Sequence, residues 1–158
     1  MTSSPQAEQS VGFLLVDVAR LMRRDFDRRV RSMKLTQAQW RAIGHLARED
    51  GIKQTVLADL LDVKPITLGR LVDRMEAAGW VERRADPGDR RASLLYLTPK
   101  VQPILAELKS RAAEAREDLL AGVPDTDRKA LANTLERMKQ NLVAAEAAGD
   151  ITEQDQLQ

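Results

Sequence analysis

Two groups of side chains in this 158-residue sequence have the types and spacing needed to grip a polyanion. The first is Ile66, Thr67, Arg70 and Arg74, which fall on one side of a helix at 100° per residue, with Lys64 and Pro65 at its start. The second is the run Arg83, Arg84, Asp86-Pro87-Gly88-Asp89, Arg90 and Arg91, where a Pro-Gly turn sets arginines at the tip of a hairpin. On an outward helix face, Arg70 offers two donors that match guanine O6 and N7, Thr67 suits a hydrogen bond or a thymine methyl, and Ile66 gives only apolar contact. Lys64 and the helix N-terminus favour phosphate. An arginine on a projecting loop suits a narrow minor groove, where negative potential is strongest. A carboxylate beside phosphate is repelled, so Asp89 is expected to pair with a neighbouring arginine and hold the loop's shape.

Other chemistries find little material. With no cysteine, the chain has no disulfide framework, thiolate zinc site, iron–sulfur cluster or thiol switch. His45 is the one histidine, which excludes a multi-histidine metal site within one chain, so no metal and no cofactor are expected. There is no nucleophile elbow, phosphate loop or dinucleotide glycine pattern, and an enzyme is not expected. The apolar run Val11 to Val16 meets Asp17 at once, with no basic residue before it, and so fails as a signal peptide. No run approaches the ~20 apolar residues of a membrane span, and a soluble, cytoplasmic protein without a membrane partner is expected. The net charge of +1 conceals an asymmetry: residues 1–106 carry +5 and residues 107–158 carry −4.

The elements that must position these groups can be read from periodicity. Leu14, Leu15, Val18, Leu21, Met22, Phe26, Val30 and Met33 recur at helical spacing and predict one long amphipathic helix. Its other face, Arg20, Arg23, Arg24, Arg28, Arg29, Arg31 and Lys34, reads as either a solvated surface or an auxiliary phosphate contact. Thr36 and Gln39 form a capping-box pattern for a second helix ending near Asp50-Gly51. A short third helix buries Val56, Leu57, Leu60 and Leu61. The fourth runs from Pro65 to Ala78, is stopped by Gly79, and buries Leu68, Leu71, Val72 and Met75. Trp80 to Arg84 and Ala92 to Thr98 read as the two strands of the hairpin. A fifth helix from Thr98-Pro99 and a sixth from about Asp125 complete the order. The expected fold is mainly α with a small β-hairpin wing: a winged helix-turn-helix with N- and C-terminal dimerisation helices.

Several linked motifs then resemble one family. The segment Asp86 to Thr98, which opens D-P-x-D-x-R and ends in L-T, is similar to the wing signature of the MarR family of bacterial transcriptional regulators, in its SlyA-like branch. Leu57-Ala58-Asp59-Leu60-Leu61 and the run Leu71 to Val81 resemble that family's third and fourth helices. The resemblance implies one domain over residues 10–148, with a DNA-binding lobe near 36–98 and dimerisation helices near 10–34 and 99–147, while polar composition reads as a disordered tail over 1–9 and a polar tail over 149–158. It also implies a homodimer that binds double-stranded DNA, probing successive major grooves with its recognition helices. By matching positions Arg70 would read bases, Arg91 would enter the minor groove with Asp89 as its positioning carboxylate, and Arg90 would be a further wing arginine.

Apolar stripes at both ends of the chain favour pairing with a second copy through Leu14, Leu15, Val18, Leu135, Met138 and Leu142. The resemblance further implies a small aromatic carboxylate or phenolic effector, for which helix face makes Phe13, Trp40, Arg41 and His45 the candidate contacts, with Trp40 reading also as core packing and His45 as a structural residue. The expected function is a regulator, in the repressor sense, that binds pseudo-palindromic operators and is released by such an effector. The alternative is a winged-helix module for protein contacts without ligand response. Against it, a protein hot spot favours large aromatics where this helix shows Thr67, Arg70 and Arg74.

Overall fold

A computed structural model describes residues 5–155. The chain falls into two compact units, one up to Arg116 and one from Glu117. The first unit contains α1 (Pro5–Arg29), α2 (Gln37–Leu46), β1 (Ile52–Lys53), α3 (Gln54–Leu61), α4 (Pro65–Ala77), β2 (Val81–Asp86), β3 (Asp89–Leu97) and most of α5 (Gln102–Leu119). The second holds the end of α5 and α6 (Asp125–Asp155).

Local chemistry sets these boundaries. The Thr36 hydroxyl accepts from the Gln39 N–H at 3.3 Å, and the Gln39 side chain accepts from the Thr36 N–H at 2.8 Å, closing the capping box of α2. That helix stops at Leu46, short of the expected Asp50-Gly51, because Ala47 to Gly51 form the turn into a strand. Pro65 opens α4, whose end is followed by Gly79 at a φ of +74°, a left-handed position that costs glycine nothing. Leu68, Leu71, Val72 and Met75 are buried, as the period of α4 predicts.

Four further expectations need correction. On α3 the buried face is Leu57, Ala58 and Leu61, while Val56 and Leu60 are exposed, so the stripe is turned from the one expected. The hairpin belongs to an antiparallel sheet of order β1-β3-β2 among the described residues, in which Ile52 pairs with Leu95 and Lys53 with Leu94. A strand of two residues is too short to show a period in sequence. The first helix ends at Arg29, and Arg31–Met33 form a separate 3-10 turn closed by left-handed Lys34. Finally, α1 begins at Pro5 and α6 continues to Asp155, so most of the expected tails 1–9 and 149–158 are helical; residues 1–4 and 156–158 lie outside the described residues. Each residue added to a nucleated helix gains a backbone hydrogen bond, so a helix can run on into polar sequence that shows no apolar stripe.

The core of the first unit joins all its layers: Val30 just after α1, Ile43 and Leu46 from α2, Leu57 and Leu61 from α3, Leu68 and Met75 from α4, and Leu95 from β3. The C-terminal part of α1 is tied to α2 by Asp27, which accepts from Gln37 Nε2 and from the Trp40 indole, both at 2.7 Å. Phe26 packs edge-on to Trp40 at 4.6 Å. The rest of α1 is different: Phe13 (77% exposed), Leu14 and Val18 face outward, and Leu15 is half-buried. In the second unit Leu135 and Leu142 are exposed and Met138 is half-buried. There Arg128 donates to the Val123 and Leu120 carbonyls, both at 2.8 Å, fixing the start of α6. Among the described residues no helix is long and apolar enough to cross a membrane, and no three metal-ligating side chains gather.

Candidate nucleic-acid interface

The exposed face of α4 is the complement of its buried one. Ile66 is 70% exposed, and with Thr67, Arg70 and Arg74 it lines an open depression of about 410 Å³. Lys64 and Pro65, both exposed, sit at the start of this helix, whose Thr67 and Leu68 N–H groups are taken by the Lys64 carbonyl. A second depression lies between the N-terminus of α3 and the wing, lined by Gln54, Thr55, Arg91, Ala92 and Ser93.

The arginines divide by what their guanidinium groups do. Arg41 is spent on the C-terminus of α3, donating to the Leu61 carbonyl at 3.1 Å and the Leu60 carbonyl at 3.2 Å. Arg84 lies over the Tyr96 ring, 4.1 Å from its centroid, and bonds Glu82 at 2.7 Å through Nε. Arg83 is held by four acceptors at the base of the wing and is not at its tip, contrary to the expectation from sequence. On α1, Arg20 pairs with Asp17, and Arg28 and Arg29 pair with Asp25, whose carboxyl they draw below the usual range. Among the described residues Arg70 and Arg74 on α4, and Arg90 and Arg91 on the wing, have no acidic partner and are exposed. Arg23 and Arg24 on α1 share that condition.

The wing loop is built by its two aspartates through backbone donors. Asp89 accepts from the Arg91 N–H at 3.0 Å; the expected pairing with a guanidinium is replaced by this two-residue turn, which leaves Arg91 unneutralised. Asp86 accepts from the Gly88 N–H at 2.8 Å and pairs with Lys53 at 2.9 Å, which ties the loop to β1. The Lys53 ammonium, then the Gly88 N–H, hold the Asp86 carboxyl below the usual carboxylate range. Sequence reasoning gave Lys53 and Asp86 no such role; a lysine in so short a strand carries no local signal of a partner across the sheet.

The candidate effector contacts are less coherent. Trp40 and Arg41 are committed to Asp27 and to α3, and Phe13, Trp40, Arg41 and His45 line neither depression. Partial burial, then the nearby Arg48 and Arg41, lower the proton affinity of the His45 imidazole below its ordinary value.

Comparison with known proteins places these features. A model of the MarR family matches residues 33–92. The crystal structure of the transcriptional regulator PA3341 is 38% identical over 84% of this chain and 97% of its own, with a TM-score of 0.76. A MarR transcriptional regulator from Methanosarcina mazei Go1 is 27% identical over 85% of this chain and 97% of its own, with a TM-score of 0.75. The transcriptional repressor CouR, bound to a 23-mer DNA duplex, is 28% identical over 88% of this chain and 99% of its own, with a TM-score of 0.66. With a winged helix of this topology and a relative this similar over most of its length, the chain belongs to the MarR family of transcriptional regulators.

Proposed function

We propose that this protein is a sequence-specific repressor that binds double-stranded DNA as a homodimer, with α4 in the major groove and the β2–β3 tip in the minor groove. The observation that carries this reading is the sorting of the arginines: those on the outward face of α4 and at the wing tip have no acidic partner among the described residues, while Arg41, Arg83 and Arg84 are consumed internally. Exposed guanidinium groups that no carboxylate pairs with are what phosphate and guanine recognition require.

In this reading Arg70 and Thr67 contact bases, Ile66 gives apolar contact, and Lys64, the N-terminus of α4 at Pro65 and Arg74 contact phosphate. Arg90 and Arg91 reach the minor groove from a loop that Asp89 shapes, and Arg84 supports that strand from the Tyr96 ring. The similarity to CouR, a repressor bound to DNA, supports this docking and the repressor sense. The exposed apolar faces of α1 and α6, including Leu14, Val18, Leu135 and Leu142, support pairing of two copies, with Leu15 and Met138 beside them. A two-fold protein calls for operator half-sites about one helical turn apart in an imperfect palindrome. The wing signature favours the SlyA-like branch, and a cytoplasmic location follows from the role.

An aromatic carboxylate is the effector class in this reading: Phe13 supplies exposed apolar surface and His45 a polar handle, and binding favours a dimer whose α4 helices are wrongly spaced. The functional reading is tested by selecting duplexes from a random pool with the purified protein. A pseudo-palindromic winner bound with steep salt dependence is expected, and the absence of any enriched sequence overturns it. Titrating millimolar salicylate into that complex tests the effector: loss of affinity is expected, and unchanged affinity removes it.

A further inference from the structure

The most heavily bonded side chain near the proposed interface is one whose donors are taken up inside the lobe. Arg83, on β2, donates from Nε to Gln54 Oε1 at 3.1 Å, from Nη1 to Glu76 Oε2 at 2.5 Å, and from Nη2 to Asp73 Oδ1 at 2.6 Å and to the Gly69 carbonyl at 3.3 Å. Its backbone N–H donates to the other Glu76 oxygen at 3.2 Å. Its partners lie on α3 (Gln54) and along two turns of α4 (Gly69, Asp73, Glu76), so one planar fork ties the wing to both helices of the helix-turn-helix. The side chain is only 25% exposed, and the five donors of its guanidinium have fixed directions, so it constrains angle as well as distance. We infer that Arg83 is a positioning residue for recognition: it sets the angle between α4 and the wing, and so decides whether Arg70 and Arg91 reach the major and minor grooves at the same time.

The alternative to geometry is charge. Asp73 and Glu76 stand three and six residues after Arg70 on the same helix, and Arg83 neutralises carboxylates that would otherwise repel phosphate. The two effects come apart in variants. Arg83→Lys keeps the charge but replaces the fork with a point donor. Arg83→Gln combined with Asp73→Asn keeps the local net charge of the wild type, yet removes the hub.

The inference rests on the DNA-binding reading for its consequence, but the hub itself can be read without DNA. Because the chain has no cysteine, Ile66→Cys and Gly88→Cys give two clean attachment points, on α4 and at the wing tip. Ile66 is exposed, and a side chain at Gly88 meets nothing closer than 3.5 Å. Spin-labelled chains diluted into unlabelled ones report the intrachain distance by pulsed electron resonance. A narrow distribution in the otherwise wild-type chain, broadened by Arg83→Ala, is expected; the same narrow distribution in both overturns the inference, whatever the protein binds.

On the duplex enriched by selection, Arg83→Ala, Arg83→Lys and the charge-matched double variant should each lose about tenfold in affinity, with less than twofold change on an unrelated duplex of equal length. If Arg83→Lys or the double variant binds as the wild type does, charge and not position is the cause, and the inference falls. Equal losses on both duplexes also contradict it. Should Arg83→Ala fail to fold, Gln54→Ala with Asp73→Ala leaves the fork only Glu76 and the Gly69 carbonyl; a broadened distance supports positioning, and an unchanged one refutes it. Failure of the wild type to enrich any duplex counts against the functional reading alone, since the distance measurement still reports on the hub.

Discussion

Two glycines share one backbone conformation and differ in what surrounds them, which makes the packing of the wing measurable. Gly51 and Gly79 both have a φ of +74°. Alanine at either position must adopt the left-handed region, at about 1–2 kcal/mol. At Gly79 the added Cβ meets the Lys100 side chain, with Cδ at 3.1 Å, and an exposed lysine can swing away. At Gly51 it meets the Tyr96 hydroxyl at 2.6 Å and the ring carbon bearing it at 2.9 Å. Tyr96 cannot yield as easily: it lies in β3, opposite Glu82 in the register, with Arg84 stacked on its ring. Forcing a side chain into occupied space typically adds about 1–3 kcal/mol. Gly51→Ala should therefore lose ~2–5 kcal/mol and Gly79→Ala ~1–2 kcal/mol, the difference being the steric part. Urea unfolding followed by circular dichroism measures both. Equal losses, or a larger one at Gly79, would refute the packing of Tyr96 against the α2–β1 turn.

Other outcomes follow from the same geometry. Leu95→Ala, at a fully buried position, should cost ~2–5 kcal/mol in the same unfolding assay. The imidazole of His45, the one histidine in the sequence, should titrate below 6.5 by proton NMR because burial disfavours its charged form; a midpoint above 6.5 contradicts its placement. Since the Asp86 carboxyl is held low by Lys53, its contribution to stability is present above the ordinary carboxylate value of 3.8 and is lost as pH falls through the lower folded value. Asp86→Asn should therefore flatten the acid limb of the stability profile, and an unchanged limb contradicts the ion pair. Arg91→Ala should reduce the salt slope of duplex binding by about one unit for each phosphate that the arginine neutralises, and an unaltered slope removes Arg91 from the interface.

Much of this was legible in the chain because it is local. The capping box at Thr36, proline at the start of α4, and the alternation of Leu68, Leu71, Val72 and Met75 against Thr67, Arg70 and Arg74 are all decided within one or two turns. The pieces that escaped are set by partners distant in sequence. Arg83 and Arg84 differ by one position, yet strand alternation sends the first into a hub with Gln54, 29 residues away, and the second onto Tyr96. Strand β1 exists only because β3 offers it a ladder, and Lys53 acquires its partner only through that pairing. Arg41 read as a ligand handle from helix face alone; the carbonyls at the end of α3 that claim it become visible only once α2 and α3 are packed.

Groove docking by a paired chain is tested most directly by hydroxyl-radical footprinting of the selected duplex with wild type, Arg70→Ala and Arg91→Ala. Two protected patches about one helical turn apart are expected in the wild type, with loss of base discrimination in Arg70→Ala at a cost of ~1–3 kcal/mol, and loss of the flanking minor-groove protection in Arg91→Ala. A single patch, or full sequence discrimination retained without Arg70, would contradict it.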